Sequence, residues 1–319
     1  LPESVKIINR EAFAFCTALS EIDLSGCRNL TEIGEKAFYG DTALTDVKLP
    51  AGLNSVGKEA FESCTSLTDL DLSVCTSLTE IGELAFRQIP VTSLSFPASL
   101  EVIGRGAFDE CEQLSNVTWP EDSQLRVLSG FSHCTALPVS VYNEGVVLPK
   151  VTVIGDEAFK NNHFESVTIP ENIREIGGSA FTGDGQDYTS QLKSLTILPG
   201  VKTIGPHAFE GCCGLAEQKV VVPATVTKIY GGAFADCTKQ YDPAEGEEDF
   251  TYTGIIVEFA NQDFKLTPYD SEMTSYERVT IGDVDYEDPF AGIATIRAYE
   301  TDSEGNPSML KQFYETQKD

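Results

Sequence analysis

Basic residues are scarce in this chain of 319 residues: 22 Lys and Arg stand against 50 Asp and Glu, giving a formal net charge of −28. Nucleic acids and anionic lipid surfaces both attract clustered Lys and Arg, so this charge argues against either as a partner. It favours solubility, cationic partners or neutral ligands. Long apolar runs are also missing, because none approaches the roughly 18 residues that a membrane-spanning helix needs. We therefore expect no nucleic acid partner and no membrane insertion of this chain.

Histidine is nearly absent too, with only His133, His163 and His207 in the chain. None of the three has a second His or a carboxylate at metal-ligand spacing. The common signatures of serine hydrolases, zinc proteases, phosphate-binding loops and dinucleotide sites are missing. The acid pair Glu247 and Glu248 lies in a polar, acidic stretch, where solvated carboxylates are expected rather than a glycosidase pair. The sequence predicts a protein that is not an enzyme and that holds no cofactor and no metal.

What the chain does have is a phenylalanine that returns at intervals of 22 to 28 residues. Alanine precedes nine of these ten phenylalanines, and Gly130 precedes the other. A fixed period of this size predicts a solenoid, in which each repeat buries its apolar side against its neighbours. The repeated phenylalanines are Phe13, Phe38, Phe61, Phe86, Phe108, Phe131, Phe159, Phe181, Phe209 and Phe234.

Each repeat carries two local signals. Apolar residues alternate with polar ones at Leu44–Leu49 and Leu67–Leu72, which predicts a strand with one buried face, and a proline such as Pro50 ends it. The second signal is the phrase Ile-Gly-x-x-Ala-Phe, seen at Ile33–Phe38 and Ile81–Phe86. Its residues favour helix over about one turn of length. We therefore predict a strand, a turn and a short helical segment in each repeat, with the phenylalanines buried in one column.

Six of the nine cysteines share one position, three residues after a repeated phenylalanine. Asp41, Asn162 and Asp184 take the same position in other repeats. A position open to Cys, Asn and Asp suggests a small inward side chain that fills space or forms a hydrogen bond. Free structural thiols are our main interpretation. Bridges between consecutive repeats remain the alternative, and the pairs would be Cys111 with Cys134 and Cys212 with Cys237.

The repeated motif resembles that of the BspA-like bacterial leucine-rich repeat proteins. It consists of Leu-x-x-Leu-x-Leu-Pro and Ile-Gly-x-x-Ala-Phe-x-x-Cys, and stands here at Leu114–Pro120 and Ile103–Cys111. The resemblance implies an α/β solenoid: a leucine-rich repeat right-handed superhelix of about eleven repeats with a concave parallel β-sheet. It also implies an exported protein of host-associated bacteria, secreted or displayed at the cell surface, whose targeting or anchoring segment lies outside this chain.

The resemblance covers residues 1–238 densely, and we assign 1–238 to the leucine-rich repeat solenoid. Residues 239–319 are assigned to degenerate C-terminal repeats and a cap, continuous with the solenoid. The end of the chain resembles the closing repeat of the same family, with a strand over Ile293–Tyr299 and a helix over Ser308–Gln317. Departures from the motif include the incomplete phrase at Leu128–Phe131 and extra residues at 139–145, which lengthen that repeat. The stretch 183–191 is rich in Gly, Asp and Ser and predicts a loop that projects from the solenoid.

The exposed positions of the predicted strands follow from their period of two residues. Three acidic residues stack in one column without a basic neighbour, and Lys48 stands between Asp23 and Asp71 in the next column, where it can pair with either. Farther along, the face turns to Ser, Thr and Asn. A solvated acidic face, a site for a basic partner and a site for a divalent cation all fit this pattern. The candidate binding residues are Glu21, Asp23, Asp46, Lys48, Asp69, Asp71, Ser93, Ser95, Asn116 and Thr118.

A non-catalytic recognition or adhesion protein is the function that these patterns favour. The expected partner is a protein, basic or from the extracellular matrix, and the chain is expected to be a monomer. Two alternatives remain open: a spacer without a ligand of its own, and a glycan-binding component of a nutrient-capture system. Sugar sites need exposed aromatic rings. Trp119 is predicted to point inward, which leaves Tyr142 and Tyr188, in the stretches 139–145 and 183–191, as the aromatic residues to test.

Overall fold

The computed structural model describes residues 1–138, 148, 150–183, 192–216, 218–241, 251–259, 265–266, 278–281, 284–287, 295–301 and 307–315. The chain divides into two compact units, Leu1–Asn162 and His163–Asp319. Both are built from parallel strands of successive repeats, so the predicted solenoid is confirmed. The division at residue 238 and the count of about eleven repeats are not tested by these residues and stay predictions.

In the first unit, each repeat contributes a two-residue strand to a parallel ladder that follows sequence order. Each of these strands ends on the apolar residue before the turn, and that residue is buried. The seven strands are β1 (Ile7–Ile8), β3 (Glu32–Ile33), β5 (Ser55–Val56), β7 (Glu80–Ile81), β9 (Val102–Ile103), β11 (Val127–Leu128) and β12 (Val153–Ile154).

The strands predicted from alternation form separate parallel ladders in the same unit. They are β2 (Glu21–Asp23), β4 (Asp46–Lys48) and β6 (Asp69–Leu70) in one ladder, and β8 (Ser93–Ser95) and β10 (Asn116–Thr118) in another. Val47 in β4 is 3% exposed while Lys48 is exposed, as the period of two residues predicts.

The second unit has three parallel groups of strands. The first group is β13 (Ser166–Ile169) and β15 (Ser194–Ile197); the second is β14 (Glu175–Ile176), β16 (Thr203–Ile204), β18 (Lys228–Ile229) and β22 (Lys265–Leu266). The third is β17 (Lys219–Val222), β21 (Ile256–Phe259) and β25 (Thr295–Thr301). Antiparallel pairs are β19 (Thr238–Tyr241) with β20 (Thr251–Gly254), and β23 (Arg278–Ile281) with β24 (Val284–Glu287).

The helix predicted over Ser308–Gln317 is wrong. This segment forms β26 (Pro307–Glu315), which pairs antiparallel with β25. Pairing with a neighbouring strand satisfies its backbone groups, and such tertiary context overrides a weak local preference for helix. The strand expected over Ile293–Tyr299 is confirmed and runs over Thr295–Thr301.

The short helical segment predicted in each repeat is also wrong. Among the described residues, the sole helix is a 3₁₀ turn at Cys213–Leu215. Residues from the Gly of the phrase to the position three after Phe form a turn segment whose hydrogen bonds alternate. Phe38 N–H donates to Ala60 O of the next repeat at 2.8 Å, whereas Ala37 N–H donates to Gly34 O within its own segment at 3.2 Å.

This alternation requires left-handed backbone at two places in each turn segment. Positive φ recurs two residues before and two residues after the phenylalanine, as at Lys36 (56°) and Gly40 (71°) around Phe38. A helix would direct every amide to its own segment four residues back. The turn segment instead directs every second amide to the next repeat, so consecutive repeats are hydrogen-bonded along their turns as well as along their strands.

The phenylalanine column is confirmed within each unit. Phe38 and Phe61 are fully buried, and their rings stack with centroids 4.9 Å apart and planes 6° apart. The first ring, Phe13, is half-buried. Close stacking also explains the glycine of the phrase, since a Cβ on Gly82 would lie 2.6 Å from the backbone nitrogen of Lys58 in the preceding repeat.

All nine cysteines are free thiols, and all but Cys16 are buried. In the shared position, Cys64 Sγ donates to the carbonyl of Phe38 at 3.2 Å, and Cys134 Sγ donates to that of Phe108 at 3.1 Å. The other residue types accept a hydrogen bond instead: Asp41 Oδ1 lies 2.7 Å from Cys16 N. The side chain at this position therefore forms a hydrogen bond to a neighbouring repeat, as the donor when it is Cys and as the acceptor when it is Asp or Asn. The alternative of disulfides between repeats has no support in this structure.

Candidate functional site

The first predicted column of the candidate binding face is confirmed in register over β2, β4 and β6. Glu21 pairs with Asp46, and Asp46 pairs with Asp69, so the three carboxyl-bearing residues lie side by side on β2, β4 and β6. Neighbouring strands in a sheet are about 4.8 Å apart, and like charges at that distance repel one another. Glu21 and Asp69 are exposed and Asp46 is partly buried. We call Glu21, Asp46 and Asp69 the acidic column.

Lys48 offsets this charge differently from the prediction. Its Nζ lies 3.9 Å from Asp46 Oδ2, on its own strand, and not against the carboxylate of Asp23 or Asp71. The two residues point to the same face because they are two positions apart. With 61% of the Lys48 side chain exposed, the pair is screened by water and contributes little stability.

Asp23 and Asp71 have a local structural role that the sequence analysis missed. Asp23 Oδ1 accepts hydrogen bonds from the amide of Ser25 at 2.9 Å and from its hydroxyl at 2.6 Å. Asp71 holds Ser73 in the same way, at the same two distances. Bonds from the Ser25 hydroxyl and amide lower the pKa of Asp23. The spacing Asp-x-Ser was the available signal, because Asp side chains commonly cap their own backbone two residues on.

The neutral part of the candidate face lies on its own ladder. Ser93 pairs with Asn116 and Ser95 pairs with Thr118. Within residues 1–138, β6 and β8 share no ladder, so the hydroxyl and amide side chains do not continue the acidic column directly. The structure thus brings the ten predicted residues onto two ladders of one unit: six on or directly after β2, β4 and β6, and four on β8 and β10.

The described residues contain no feature that indicates metal binding or membrane insertion. No group of three His, Cys, Asp or Glu side chains there is arranged to hold a metal ion. In the same residues, no helix has the length and apolar character to cross a bilayer.

A partly buried polar network, also missed from sequence, crosses the turn segments of the first unit. Arg87 stands at its centre, with Nη1 3.1 Å from Glu62 Oε1, Nε 3.2 Å from Asp109 Oδ2, and Nη2 paired with Glu110. These three acidic residues belong to the repeats on either side of Arg87. Glu62 is 6% exposed, and burial raises the pKa of its carboxyl. Each of the four residues follows a repeated phenylalanine by one or two positions, which was the usable signal.

The same network contains a serine, a histidine and an aspartate in contact. His133 Nδ1 lies 2.9 Å from Asp109 Oδ1 and 2.8 Å from Ser132 Oγ, while Nε2 lies 2.8 Å from Asn161 Nδ2. In a catalytic triad the carboxylate and the nucleophile occupy opposite ring nitrogens. Here both occupy Nδ1, so His133 cannot relay a proton from Ser132 while Asp109 orients it. The hydrogen bond to Asp109 raises the pKa of His133.

Within the described residues, an exposed aromatic ring lies at the first repeat. Tyr142 and Tyr188 lie outside the described residues. Phe15 is 68% exposed, and its ring meets that of Tyr39 edge-on with centroids 5.3 Å apart. Trp119 is half-buried and stacks on Phe96 at 4.6 Å, so its predicted inward packing holds in part.

These features define a leucine-rich parallel β-solenoid without a catalytic constellation among its described residues. The profile of the BspA type leucine rich repeat region matches the chain in six copies, over residues 1–115, 79–182 and 131–241. The chain therefore belongs to the BspA-type leucine-rich repeat family, as its motifs predicted. Repeat solenoids of this family are generally not enzymes.

Several solved bacterial structures are similar to this chain. A leucine-rich repeat protein from Bacteroides ovatus is 23% identical, with 73% of this chain and 74% of that chain covered and a TM-score of 0.45. A leucine rich cell surface protein from Faecalibacterium prausnitzii is 24% identical, with 74% and 75% covered and a TM-score of 0.44. A leucine-rich repeat protein from T. pallidum is 26% identical, with 65% and 80% covered and a TM-score of 0.40. No curated protein matches the chain.

Proposed function

We propose that this chain is a non-catalytic recognition or adhesion protein of a bacterial cell surface, and that it binds a protein of a host or neighbouring cell. The proposed contact is the acidic column with its neighbours Asp23, Lys48 and Asp71, extended by the hydroxyl and amide side chains of β8 and β10 and by the predicted loops. Membership of the BspA-type family supports this class of function.

The acidic column is the single observation that carries the proposal. Three carboxylates on adjacent strands share one face, and within the described residues only Lys48 offsets them, through Asp46. Repulsion in this column is relieved when a positively charged group binds over it. The expected partner therefore presents Lys or Arg side chains, and its affinity falls as salt shortens the screening length to about 8 Å at physiological ionic strength.

The test is a binding screen of the purified chain against immobilised matrix proteins and glycans, followed by a charge-neutral variant. In Asp46→Asn/Asp69→Asn we expect binding to a basic partner to weaken by about tenfold, the equivalent of roughly 1.4 kcal/mol. The matched control is Glu32→Gln/Glu80→Gln, which removes two exposed charges from β3 and β7 in the other ladder. Equal binding by both variants would mean that the acidic column is only a solvated face.

The glycan-binding alternative is favoured by one observation, the exposed ring of Phe15 beside Tyr39. Sugars commonly stack on such rings. If the screen returns a glycan, Phe15→Ala should abolish its binding while Asp46→Asn/Asp69→Asn leaves it intact. A chain that binds nothing in the screen supports the remaining alternative, a spacer without a ligand.

A further inference from the structure

One repeat of the first unit lacks two residues of the turn segment. Leu128–Phe131 stands where its neighbours have Ile103–Phe108 and Ile154–Phe159. Ser129 takes the place of the phrase glycine, since a Cβ on Gly155 of the next repeat would lie 2.8 Å from Ser129 Cβ. Gly130 takes the place of alanine, and its carbonyl accepts from Phe108 N at 2.8 Å. We call this the short repeat.

The omission leaves a gap between the two outer turns that flank the short repeat. Arg105 and Gly106 form the turn on one side, and Asp156 and Glu157 form the turn on the other. The short repeat has no counterpart to either pair. Stacked repeats are spaced like neighbouring strands, so the two flanking turns are about 10 Å apart, twice the strand spacing.

Gly106 loses its acceptor because of this gap. In regular repeats the amide at its position donates to the next repeat, as Glu59 N does to Glu83 O at 2.9 Å and Leu84 N does to Arg105 O at 3.1 Å. The residue that would offer the corresponding carbonyl to Gly106 is one of the two that are missing. Gly106 is buried with a φ of 60°, the left-handed conformation of its position.

Two backbone amides of the short repeat, those of Ser129 and Gly130, also lack a hydrogen-bond acceptor. In the preceding repeat, the amide of the phrase glycine, Gly104, donates to Ile81 O at 2.7 Å. The corresponding acceptor for Ser129 N is Ile103 O, but this carbonyl accepts from the Ser129 hydroxyl, Oγ, at 2.6 Å instead. Gly130 N has lost the acceptor three residues back that alanine has in a full phrase. Within the described part of the chain, none of the three amides of Gly106, Ser129 and Gly130 donates to a protein acceptor.

A guanidinium group lies at the mouth of the gap. Arg105 crosses the short repeat to Glu157, with Nε and Nη2 both 2.7 Å from Glu157 Oε2. The side chain of Arg105 is 64% exposed. Glu157 Oε1 lies 3.3 Å from Lys160 Nζ, so this carboxylate has a second cation to hold it if Arg105 leaves.

We propose that the notch formed by the amides of Gly106, Ser129 and Gly130 and the guanidinium of Arg105 binds a carboxylate group from outside the chain. Buried amides without an acceptor are costly, so an oxygen that accepts from them is stabilised there. A carboxylate offers two oxygens, one for the amides and one for the guanidinium, where a neutral carbonyl would use only the former. Glu157 is the internal competitor for Arg105.

The surrounding charge sets the strength of this site. Glu157, Glu83 and Asp156 all act on Arg105, and each also repels an incoming anion. A single carboxylate is therefore expected to bind only in the millimolar range, about −4 kcal/mol. Removing the charge of Glu157 frees Arg105 and should tighten binding, which a purely structural ion pair would not do.

The experiment is a titration of protein labelled with ¹⁵N-glycine, in which Gly106 and Gly130 are two of 26 glycine amides. Acetate is added against chloride at constant ionic strength, and the two peaks are assigned from Gly106→Ala and Gly130→Ala. Acetate should shift both peaks downfield and chloride should not. N-acetylglycine and N-acetylaspartate methylamide then show whether a terminal or a side-chain carboxylate is preferred.

Three variants decide the outcome. Arg105→Gln should weaken acetate binding about tenfold, as for loss of one charge-assisted hydrogen bond. Glu157→Gln should tighten it, and Arg126→Gln, an exposed charge-matched control on the approach to β11, should leave it unchanged. Equal shifts in chloride, or an Arg105→Gln variant that binds as the parent does, would overturn the proposal.

An insertion gives an independent check. Adding Arg-Gly after Ser129 restores the full phrase length and supplies Gly106 with its missing acceptor. The inserted protein should fold and should lose the acetate response. A response that persists after the insertion would place the acetate elsewhere and would also overturn the proposal.

Discussion

At the scale of single residues, the buried carboxylate of Asp41 stands out energetically. Asp41 is fully buried, Oδ1 accepts from Cys16 N at 2.7 Å, and Oδ2 has no partner among the described residues. Burial raises the pKa of Asp41 from 3.8 to about 6. Folding therefore favours the protonated form, and its contribution is fully present below pH 3.8 and is lost as the pH rises through about 6.

Asp41→Asn should raise the free energy of unfolding at pH 7, because the amide carries no charge to bury. The rise in the pKa of Asp41 sets an upper limit of about 3 kcal/mol on this gain. At pH 4 the two proteins should be nearly equal. Asn162 fills the same position elsewhere, with Oδ1 2.9 Å from Cys134 N, so an amide fits.

Urea unfolding at pH 4 and pH 7 measures this difference. The exposed Asp122→Asn serves as the control and should change neither value by more than about 0.5 kcal/mol. A gain for Asp41→Asn that is the same at both pH values would show that folding does not raise the pKa of Asp41.

The thiols give a second prediction at this scale. Burial raises the pKa of Cys64, Cys75 and Cys111 to about 12, and the thiolate is the reactive form. We expect a thiol reagent at neutral pH to modify only Cys16 in the folded protein and all nine cysteines in denaturant without reductant. Cys16→Ser should abolish the fast phase. Fewer than nine thiols in denaturant would reveal disulfides.

At the scale of elements, the turn segment is where reasoning from sequence failed. Its residue types favour helix, and most of the positions with left-handed backbone carry non-glycine residues such as Lys36, Leu84 and Ser179. The available signal was weak: Gly106 and Gly232 fill the position two residues before phenylalanine, and Gly40 and Gly211 the position two residues after. Hydrogen bonds to the next repeat, which local preference cannot encode, decide the conformation.

Two substitutions at Ser179 distinguish a turn conformation of this segment from a helical one. With a φ of 52°, Ser179→Gly should be more stable than Ser179→Ala by about 1 kcal/mol, because left-handed backbone disfavours any Cβ. A helix would reverse the order, since glycine costs about 1 kcal/mol there relative to alanine. The order of the two melting temperatures decides between them.

The phenylalanine column, in contrast, was predictable because burial of a large ring dominates at every repeat. Phe86 is fully buried between Phe61 at 5.2 Å and Phe108 at 5.4 Å. Phe86→Ala should therefore cost about 3–5 kcal/mol. The exposed Phe15→Ala is the control, with an expected change below about 1 kcal/mol. Equal effects in urea unfolding would contradict the column.

The candidate face was predictable in register and less so in partners. A period of two residues places Glu21, Asp46 and Asp69 on one face whatever the surroundings. Which cation meets which carboxylate depends on rotamers, so Lys48 turned to Asp46 instead of Asp23 or Asp71. The network around Arg87 was missed for a different reason: its residues share a position just after the phenylalanine, but they lie in three different repeats, and only the stacking of those repeats brings their charges together.

At the scale of the whole molecule, the net charge of −28 should oppose folding at low salt. Raising the salt from about 0.01 M to about 0.15 M shortens the screening length from about 30 Å to about 8 Å. We expect the melting temperature to rise over this range. The rise should be smaller for Asp46→Asn/Asp69→Asn, and a fall with salt would show that attractive ion pairs outweigh the repulsion.

The alternating hydrogen bonds of the turn segment also limit how its length can change. Amides facing the next repeat and amides facing inward follow each other one by one, so removing one residue would exchange their roles for the rest of the segment. Removing two preserves them, and after the two-residue omission Phe131 N still donates to Ala158 O at 3.0 Å and His133 N to Lys160 O at 2.8 Å. Within this segment, insertions and deletions should thus be tolerated in even numbers, a parity rule for the growth of such chains.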